Sequence, residues 1–210
     1  MYKRQATNIP AASVSLIGRS AIIPHLQGLL SAYRIVTLTG PGGIGKTVLA
    51  LELARSQFET FHDGRFLIEL APLADPKLVS STVAQALGLK LDGEEESVEA
   101  VVQAIAGRRL LLVLDNCEHV VDAAAIFIEA VVSRCPNVHV LATSRETLRI
   151  DGEYVFRVPP LDLSSGLSAD GIEDTAGAAA ELFIVRARAL GRECGQDKDC
   201  LLYTSPSPRD

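Results

Sequence analysis

The chain has 210 residues and a formal charge of −6, from 20 Lys and Arg against 26 Asp and Glu. Apolar residues make up 48% and charged residues 22%, which excludes a disordered acidic tail or a low-complexity linker as the whole chain. The acidic balance, 5% aromatic residues and the absence of Trp argue against gripping a phosphate backbone or stacking bases, so no nucleic acid is expected to bind this stretch.

In chain order, Arg34 to Thr39 is a short β-branched run that ends in glycines and predicts a buried strand. Lys46 to about Phe58 carries Val48, Leu49, Leu51, Leu53 and Ala54 at helical spacing. Arg65 to Leu70 is the second predicted strand. Asp75-Pro76 opens a helix to about Leu87, with Asp as N-cap, Pro in the first turn and Gly88 as its end. Another helix is predicted from Glu96 to Ala106, closed by Gly107. Leu110 to Leu114 is apolar throughout and predicts a strand covered on both faces. A helix over Ala123 to Arg134 follows, then strands over Val138 to Thr143 and Tyr154 to Val158.

This alternation predicts an α/β domain with a parallel sheet wrapped by helices. After Pro159-Pro160, the polar stretch Asp162 to Thr175 reads as a linker. Ala178 to Leu190 reads as a helix with Leu182, Phe183, Val185 and Ala189 inward. Residues 1–5 and 201–210 match nothing in the periodic middle and resemble translated sequencing-adaptor sequence. They are expected to be scars on an internal slice of a longer protein. The expected organisation is therefore a phosphate-loop domain over 6–163, a linker over 164–177 and the start of a truncated helical subdomain over 178–200.

No apolar run reaches the roughly 18 residues a membrane span needs, and no secretory signal is recognisable. Cys117, Cys135, Cys194 and Cys200 form no CxxC pair and share no zinc-ligand spacing with His119 or His139. Reduced thiols in a cytoplasmic protein, without membrane contact, are expected.

Gly40-Pro-Gly-Gly-Ile-Gly-Lys-Thr47 fits GxxxxGK[ST] between a predicted strand and a predicted helix, the context this phosphate-binding motif requires. The candidate nucleotide contacts run from Gly40 through Pro41, Gly42, Gly43, Ile44, Gly45, Lys46 and Thr47 to Val48. The glycines let successive N–H groups form a nest for phosphate oxygens, and the helix N-terminus adds partial positive charge. Lys46 would reach the β- and γ-phosphates, and the Thr47 hydroxyl would hold Mg²⁺. Asp115 ends the apolar strand as a Walker B acid does, and is the second candidate Mg²⁺ ligand.

The base is less defined. The position after Asp115 is Asn116, which accepts no proton at neutral pH. Glu118 either polarises water from a loop turned inward or is a solvated loop residue. Slow hydrolysis follows from this pattern. Arg145, after the fourth strand, either senses the γ-phosphate through bidentate hydrogen bonds or is a surface residue, and Thr143 and Ser144 could cap the turn.

Together the phosphate loop, Leu112 to His119, Leu141 to Arg145 and Val158 to Leu161 resemble the nucleotide-binding domain of STAND ATPases. The likeness is to the NB-ARC and AAA-like modules of bacterial LuxR- and SARP-type transcriptional regulators, over about residues 6–192. It implies a three-layer P-loop NTPase fold with a five-stranded parallel sheet in order 5-1-4-3-2. It also implies an ADP-held closed form that ATP opens for output or homo-oligomerisation of the full-length protein. Leu16-Ile-Gly-Arg19 resembles the family's hhGR motif, so Gly18 and Arg19 would touch the nucleoside; otherwise Arg19 only caps or pairs at the surface. Pro160 would border the adenine pocket, or simply stop a strand. The family's winged-helix subdomain, repeat-type sensor and any DNA-binding output domain would lie outside this sequence.

The leading reading is thus a Mg²⁺-dependent, slowly hydrolysing ATP/ADP switch domain. The alternatives are a nucleotide-dependent scaffold that never hydrolyses, and an AAA+-type motor or loader, against which Asn116 argues. No NKxD-type guanine motif follows the fourth strand, which argues against a GTPase.

Overall fold

Five short strands lie parallel in one sheet, in the order β2-β3-β4-β1-β5. This is the expected 5-1-4-3-2 order read from the other edge. In this computed structural model the described residues are 6–11, 18–89, 97–161 and 182. The expected scars and the 164–177 linker fall outside them, as does the helix expected from 178 apart from Leu182. The elements are α1 (Ile22–Ala32), β1 (Ile35–Thr39), α2 (Lys46–Ser56), β2 (Gly64–Glu69), α3 (Val79–Ala86), α4 (Val98–Ile105), β3 (Leu110–Asp115), α5 (Val121–Arg134), β4 (His139–Ser144) and β5 (Glu153–Arg157). Short 3-10 turns at Pro76–Leu78 and Cys117–His119 precede α3 and α5. The chain divides into two compact units, residues 1–160 and 161–210, and every element named here lies in the first.

Burial explains the strand order. β1 and β3 are buried at every residue, whereas the edge strands β2 and β5 are only partly covered. In β3, Leu110, Leu112 and Leu114 face a core built with α3, α4 and α5. Leu111 and Val113 face a second core built with α1 and α2. A strand with two buried faces must read as a continuous apolar run, and each fully buried Leu contributes about 1.5–3 kcal/mol. At the β2 edge, Thr7 bridges Arg65, and the Asn8 side chain accepts from Leu67 N–H at 2.6 Å and donates to Leu67 C=O at 2.8 Å. The amide thereby stands in for a neighbouring strand and covers the open edge.

Local chemistry moves several boundaries. Helix α1 is absent from the predicted elements, although Leu26, Leu29 and Leu30 bury one face at helical spacing. Asp75 accepts from Lys77 N–H at 2.9 Å, with Pro76 behind it, and the helix predicted from that point begins as a 3-10 turn before becoming α3. Ser97 caps α4 by accepting from Ala100 N–H, so the helix starts at Val98 rather than Glu96. Gly88 and Gly107 follow α3 and α4 with positive φ, the conformation that ends helices. Among the described residues no helix is long and apolar enough to cross a membrane.

The sheet places the C-terminal ends of β3, β4 and β1 side by side, where ligands bind in open α/β sheets. Those ends carry Asp115, Ser144 with Arg145 beyond it, and Thr39 with the glycine loop beyond it.

Candidate functional site

Between β1 and α2 the chain turns through residues 40–45, and Gly45 stands at the N-cap of α2 with φ 95°. A glycine offers no side chain to cap a helix, and no side-chain hydrogen bond caps α2. Its first backbone N–H groups are therefore donors available to an anion. Lys46 is 8% exposed, and its Nζ donates to the carbonyls of Gly40 at 2.9 Å and Pro41 at 3.2 Å. Among the described residues no carboxylate pairs with this ammonium. The loop thus holds a nearly buried cation satisfied by neutral acceptors, an arrangement that favours anions.

Beneath the loop, Thr47 Oγ1 donates to Asp115 Oδ1 at 2.7 Å. Thr143 Oγ1 donates to the same oxygen at 2.5 Å and accepts from the Asn116 N–H at 3.0 Å. Asn116 sits in the left-handed region, φ 61° and ψ 48°, and starts the turn that carries Glu118. A hydroxyl and a carboxylate converging on one point suit a hard divalent cation with oxygen ligands. Among the described residues no cluster of three or more His, Cys, Asp or Glu could hold a metal. One hydroxyl beside one carboxylate suits Mg²⁺, which keeps several waters and takes one or two carboxylates plus substrate phosphates.

Glu118 points inward, its side chain 8% exposed, and its Oε1 accepts from Arg145 Nε at 3.2 Å. Its Oε2 is buried without a hydrogen-bond partner. The Arg145 side chain is 63% exposed, yet its Nη2 lies 3.6 Å from where a Cβ on Gly42 would stand. Of the two sequence readings of Glu118, the solvated loop residue does not match this burial. Cys117 between them is buried, and burial, with the charges of Asp115 and Glu118, pushes its thiol far above its ordinary value. Such surroundings disfavour the thiolate, the reactive form of the group.

Arg19 is 5% exposed rather than paired at the surface. Its Nη2 donates to the Pro159 carbonyl at 2.8 Å, its Nη1 lies against Gly45, and its Nε is buried without a partner. Burial lowers its pKa from the ordinary value. Gly18 precedes it with φ 69°. Lys46, Thr47, Asp115, Glu118, Arg145, Gly42, Gly45 and Arg19 thus gather around one loop. Pro160 is exposed, and the carbonyl of the preceding Pro159 accepts from Arg19. Val48 is 36% exposed on α2. Two partners escaped the sequence reading. The sequence suggests Thr143 only as a turn cap, a role that Ser144 takes by accepting from Glu146 N–H. The Pro159 carbonyl carries no side-chain signal at all.

Residues 30–149 match the family model described as AAA domain. Rv0894 of Mycobacterium tuberculosis, an uncharacterized protein, is 39% identical over 176 residues, which is 84% of this chain and 42% of that protein. Rv0890c of the same organism, described as a candidate HTH-type transcriptional regulator, is 38% identical over 139 residues, covering 66% of this chain and 16% of that protein. Among solved structures, a Pyrococcus horikoshii STAND protein with a tetratricopeptide repeat sensor aligns with a TM-score of 0.52. It shares 17% identity and covers 73% of this chain and 24% of that one; at that identity the likeness concerns the fold. The chain therefore spans less than half the length of each of these proteins.

Proposed function

The chain belongs to the AAA domain family, and on that premise we propose that it binds Mg²⁺-ATP and ADP and acts as a slow regulatory ATPase switch in a larger, cytoplasmic bacterial transcriptional regulator. The observation that carries the reading is the 2.7 Å contact between Thr47 and Asp115 beneath a glycine loop that Lys46 closes. The loop N–H groups and Lys46 bind the β- and γ-phosphates, exchanging the carbonyls of Gly40 and Pro41 for phosphate oxygens. Thr47 and Asp115 hold Mg²⁺, which when bound neutralises charge on the β- and γ-phosphates.

In hydrolysis a water oxygen forms a bond to the γ-phosphorus. The bond from that phosphorus to the bridging oxygen breaks, and its electron pair leaves with ADP. Glu118 takes the proton from water. Arg145 and Lys46 stabilise charge on the transferred group. Asn116 cannot serve as the base, and Glu118 is held by Arg145; both features favour a slow reaction.

These features also favour a second reading, a scaffold that binds nucleotide without hydrolysing it. Multiple-turnover phosphate release from Mg²⁺-ATP separates the two. Release that is slow but continuous, and absent in Lys46→Ala, supports the ATPase. Saturable binding with no release beyond background would establish the scaffold. Contact with DNA belongs, in this reading, to another part of the regulator.

A further inference from the structure

Strand β2 closes one side of the sheet, with β3 and β4 between it and β1. Three successive residues near the start of the chain cover its outward edge. Arg65 N–H donates to the Ala6 carbonyl at 3.2 Å, and Thr7 Oγ1 donates to the Arg65 carbonyl at 2.8 Å. Leu67 N–H donates to Asn8 Oδ1 at 2.6 Å, and Asn8 Nδ2 donates to the Leu67 carbonyl at 2.8 Å. The outward N–H and C=O of both Arg65 and Leu67 are thus matched, and side chains match all but the Arg65 N–H. A strand added to a sheet is ordinarily bonded through its backbone, which carries no sequence information. Here the pairing needs a hydroxyl at one position and a carboxamide at the next, so it reads sequence. Thr-Asn occurs once in the 210 residues, so no other stretch of the chain offers the same pair.

Two further residues shape the groove. Arg55, in the last turn of α2, donates from Nε to the Pro10 carbonyl at 2.9 Å and from Nη2 to the Ala11 carbonyl at 3.4 Å. Its Nη1 is held by Glu52, which fixes the fork where the segment leaves the strand. Gly64 leaves room for the segment, since a Cβ there would stand 2.7 Å from the Ala6 carbonyl oxygen. The segment is nevertheless lightly anchored. The side-chain hydrogen bonds that tie it to β2 and Arg55 are all exposed, and Ile9, which packs against the second core, is only partly buried. A segment held in this way opens locally, without unfolding the cores beneath it.

We propose that the β2 edge, with Arg55, is a binding site for an extended polypeptide segment of Thr-Asn-apolar-Pro sequence, which residues 6–11 of this chain occupy in cis. The partner it fits is another polypeptide that presents this sequence in extended form. The chain's own segment is a built-in competitor. Its effective concentration, on the order of millimolar for a short tether, keeps the edge shut to weaker partners. The inference does not rest on the nucleotide reading.

The test weakens the cis segment in the full 210-residue chain and supplies the same sequence in trans. An acetylated peptide copying residues 6–11, labelled at its C-terminus, is titrated into the wild type and Asn8→Ala and followed by fluorescence anisotropy. Asn8→Ala is expected to bind it saturably, about tenfold or more tighter than the wild type does. A peptide carrying Asn8→Asp has no N–H to give the Leu67 carbonyl. It should bind about tenfold or more weaker than the Asn peptide. Hydrogen exchange at the Leu67 amide should be faster in Asn8→Ala than in the wild type, and slow again when the peptide is added. Equal binding of the two peptides indicates unselective strand addition and overturns the proposal. So does equal affinity of the wild type and Asn8→Ala, since the cis segment then does not compete. An Asn8→Ala chain that keeps its wild-type circular dichroism but binds no peptide also overturns it. If Asn8→Ala fails to fold, Thr7→Val, which removes the donor to the Arg65 carbonyl, takes its place with the same expectations.

Discussion

The guanidinium of Arg19 lies against Gly45, its Nη1 3.0 Å from where a Cβ would stand, while its Nη2 holds the Pro159 carbonyl at 2.8 Å. One buried cation, 140 residues from Pro159 in sequence, thus ties the N-cap of α2 to the strand end after β5. The backbone favours glycine, since φ is 95°, and a Cβ there would press on the end of the Arg19 side chain. Gly45→Ala is expected to destabilise the fold by about 1–3 kcal/mol, from left-handed strain together with displacement of Arg19. Gly28, inside α1 with nothing within 4 Å of its added Cβ, supplies the control. Gly28→Ala should stabilise by about 0.5–1 kcal/mol. Thermal melts of the two variants should move in opposite directions.

Thr143 is expected to matter for stability as well as for the site. Thr143→Val removes the hydroxyl that donates to Asp115 and accepts from Asn116 N–H. Buried groups left without partners cost about 1–3 kcal/mol. The unfolding free energy from denaturant titration should fall by that amount for Val and by much less for Thr143→Ser, which keeps the hydroxyl.

Thr47 and Asp115 set the dependence on magnesium. In Thr47→Ala and Asp115→Asn, the gain in ATP affinity on adding Mg²⁺ should shrink by about tenfold or more. Binding in EDTA should change far less. Calorimetric titrations of each variant with and without the metal check this, and an undiminished gain from Mg²⁺ would remove both residues from the metal site.

His139 links stability to pH. It lies edge-on to Phe61, with ring centroids 5.1 Å apart. Burial lowers its pKa from the ordinary 6.5; Arg34 and Arg109 add to that effect, and the backbone at Leu30 and Tyr33 opposes it. The unfolded chain therefore takes up a proton at this residue at a higher pH than the folded one does. The stability it contributes is present above about pH 6.5 and is lost as pH falls toward the folded-state value. His139→Gln should flatten the decline in melting temperature between about pH 7 and pH 5. An equally steep decline in the variant would refute this assignment.

Much of this was legible in the sequence because its signals are local. The glycine loop, Lys46 and Thr47 are contiguous, and Leu110 to Leu114 reads as a strand because both of its faces are buried. Asp115 follows at that strand's end, where the sheet brings it beneath the loop. What escaped depends on contacts between distant segments. Thr143 reaches Asp115 across 28 residues, an adjacency made by the pairing of β3 with β4 and carried by no motif. The Glu118–Arg145 pair has the same origin, so sequence could name both residues but not their contact. Pro159 meets Arg19 through a backbone carbonyl, which every residue has. Helix α1 was missed although its apolar spacing is visible; Pro24, three positions into the helix, is tolerated in a first turn.

The central claim is that residues 40–47 with Asp115 form an adenine-nucleotide site, and titration calorimetry tests it most directly. ATP, ADP and GTP are titrated with Mg²⁺ into the wild-type chain and Lys46→Ala. Saturable binding of ATP and ADP but not GTP, lost in a variant that keeps its wild-type circular dichroism, is the predicted result. Failure of the folded wild-type chain to bind either adenine nucleotide, or equal binding by Lys46→Ala, would contradict it.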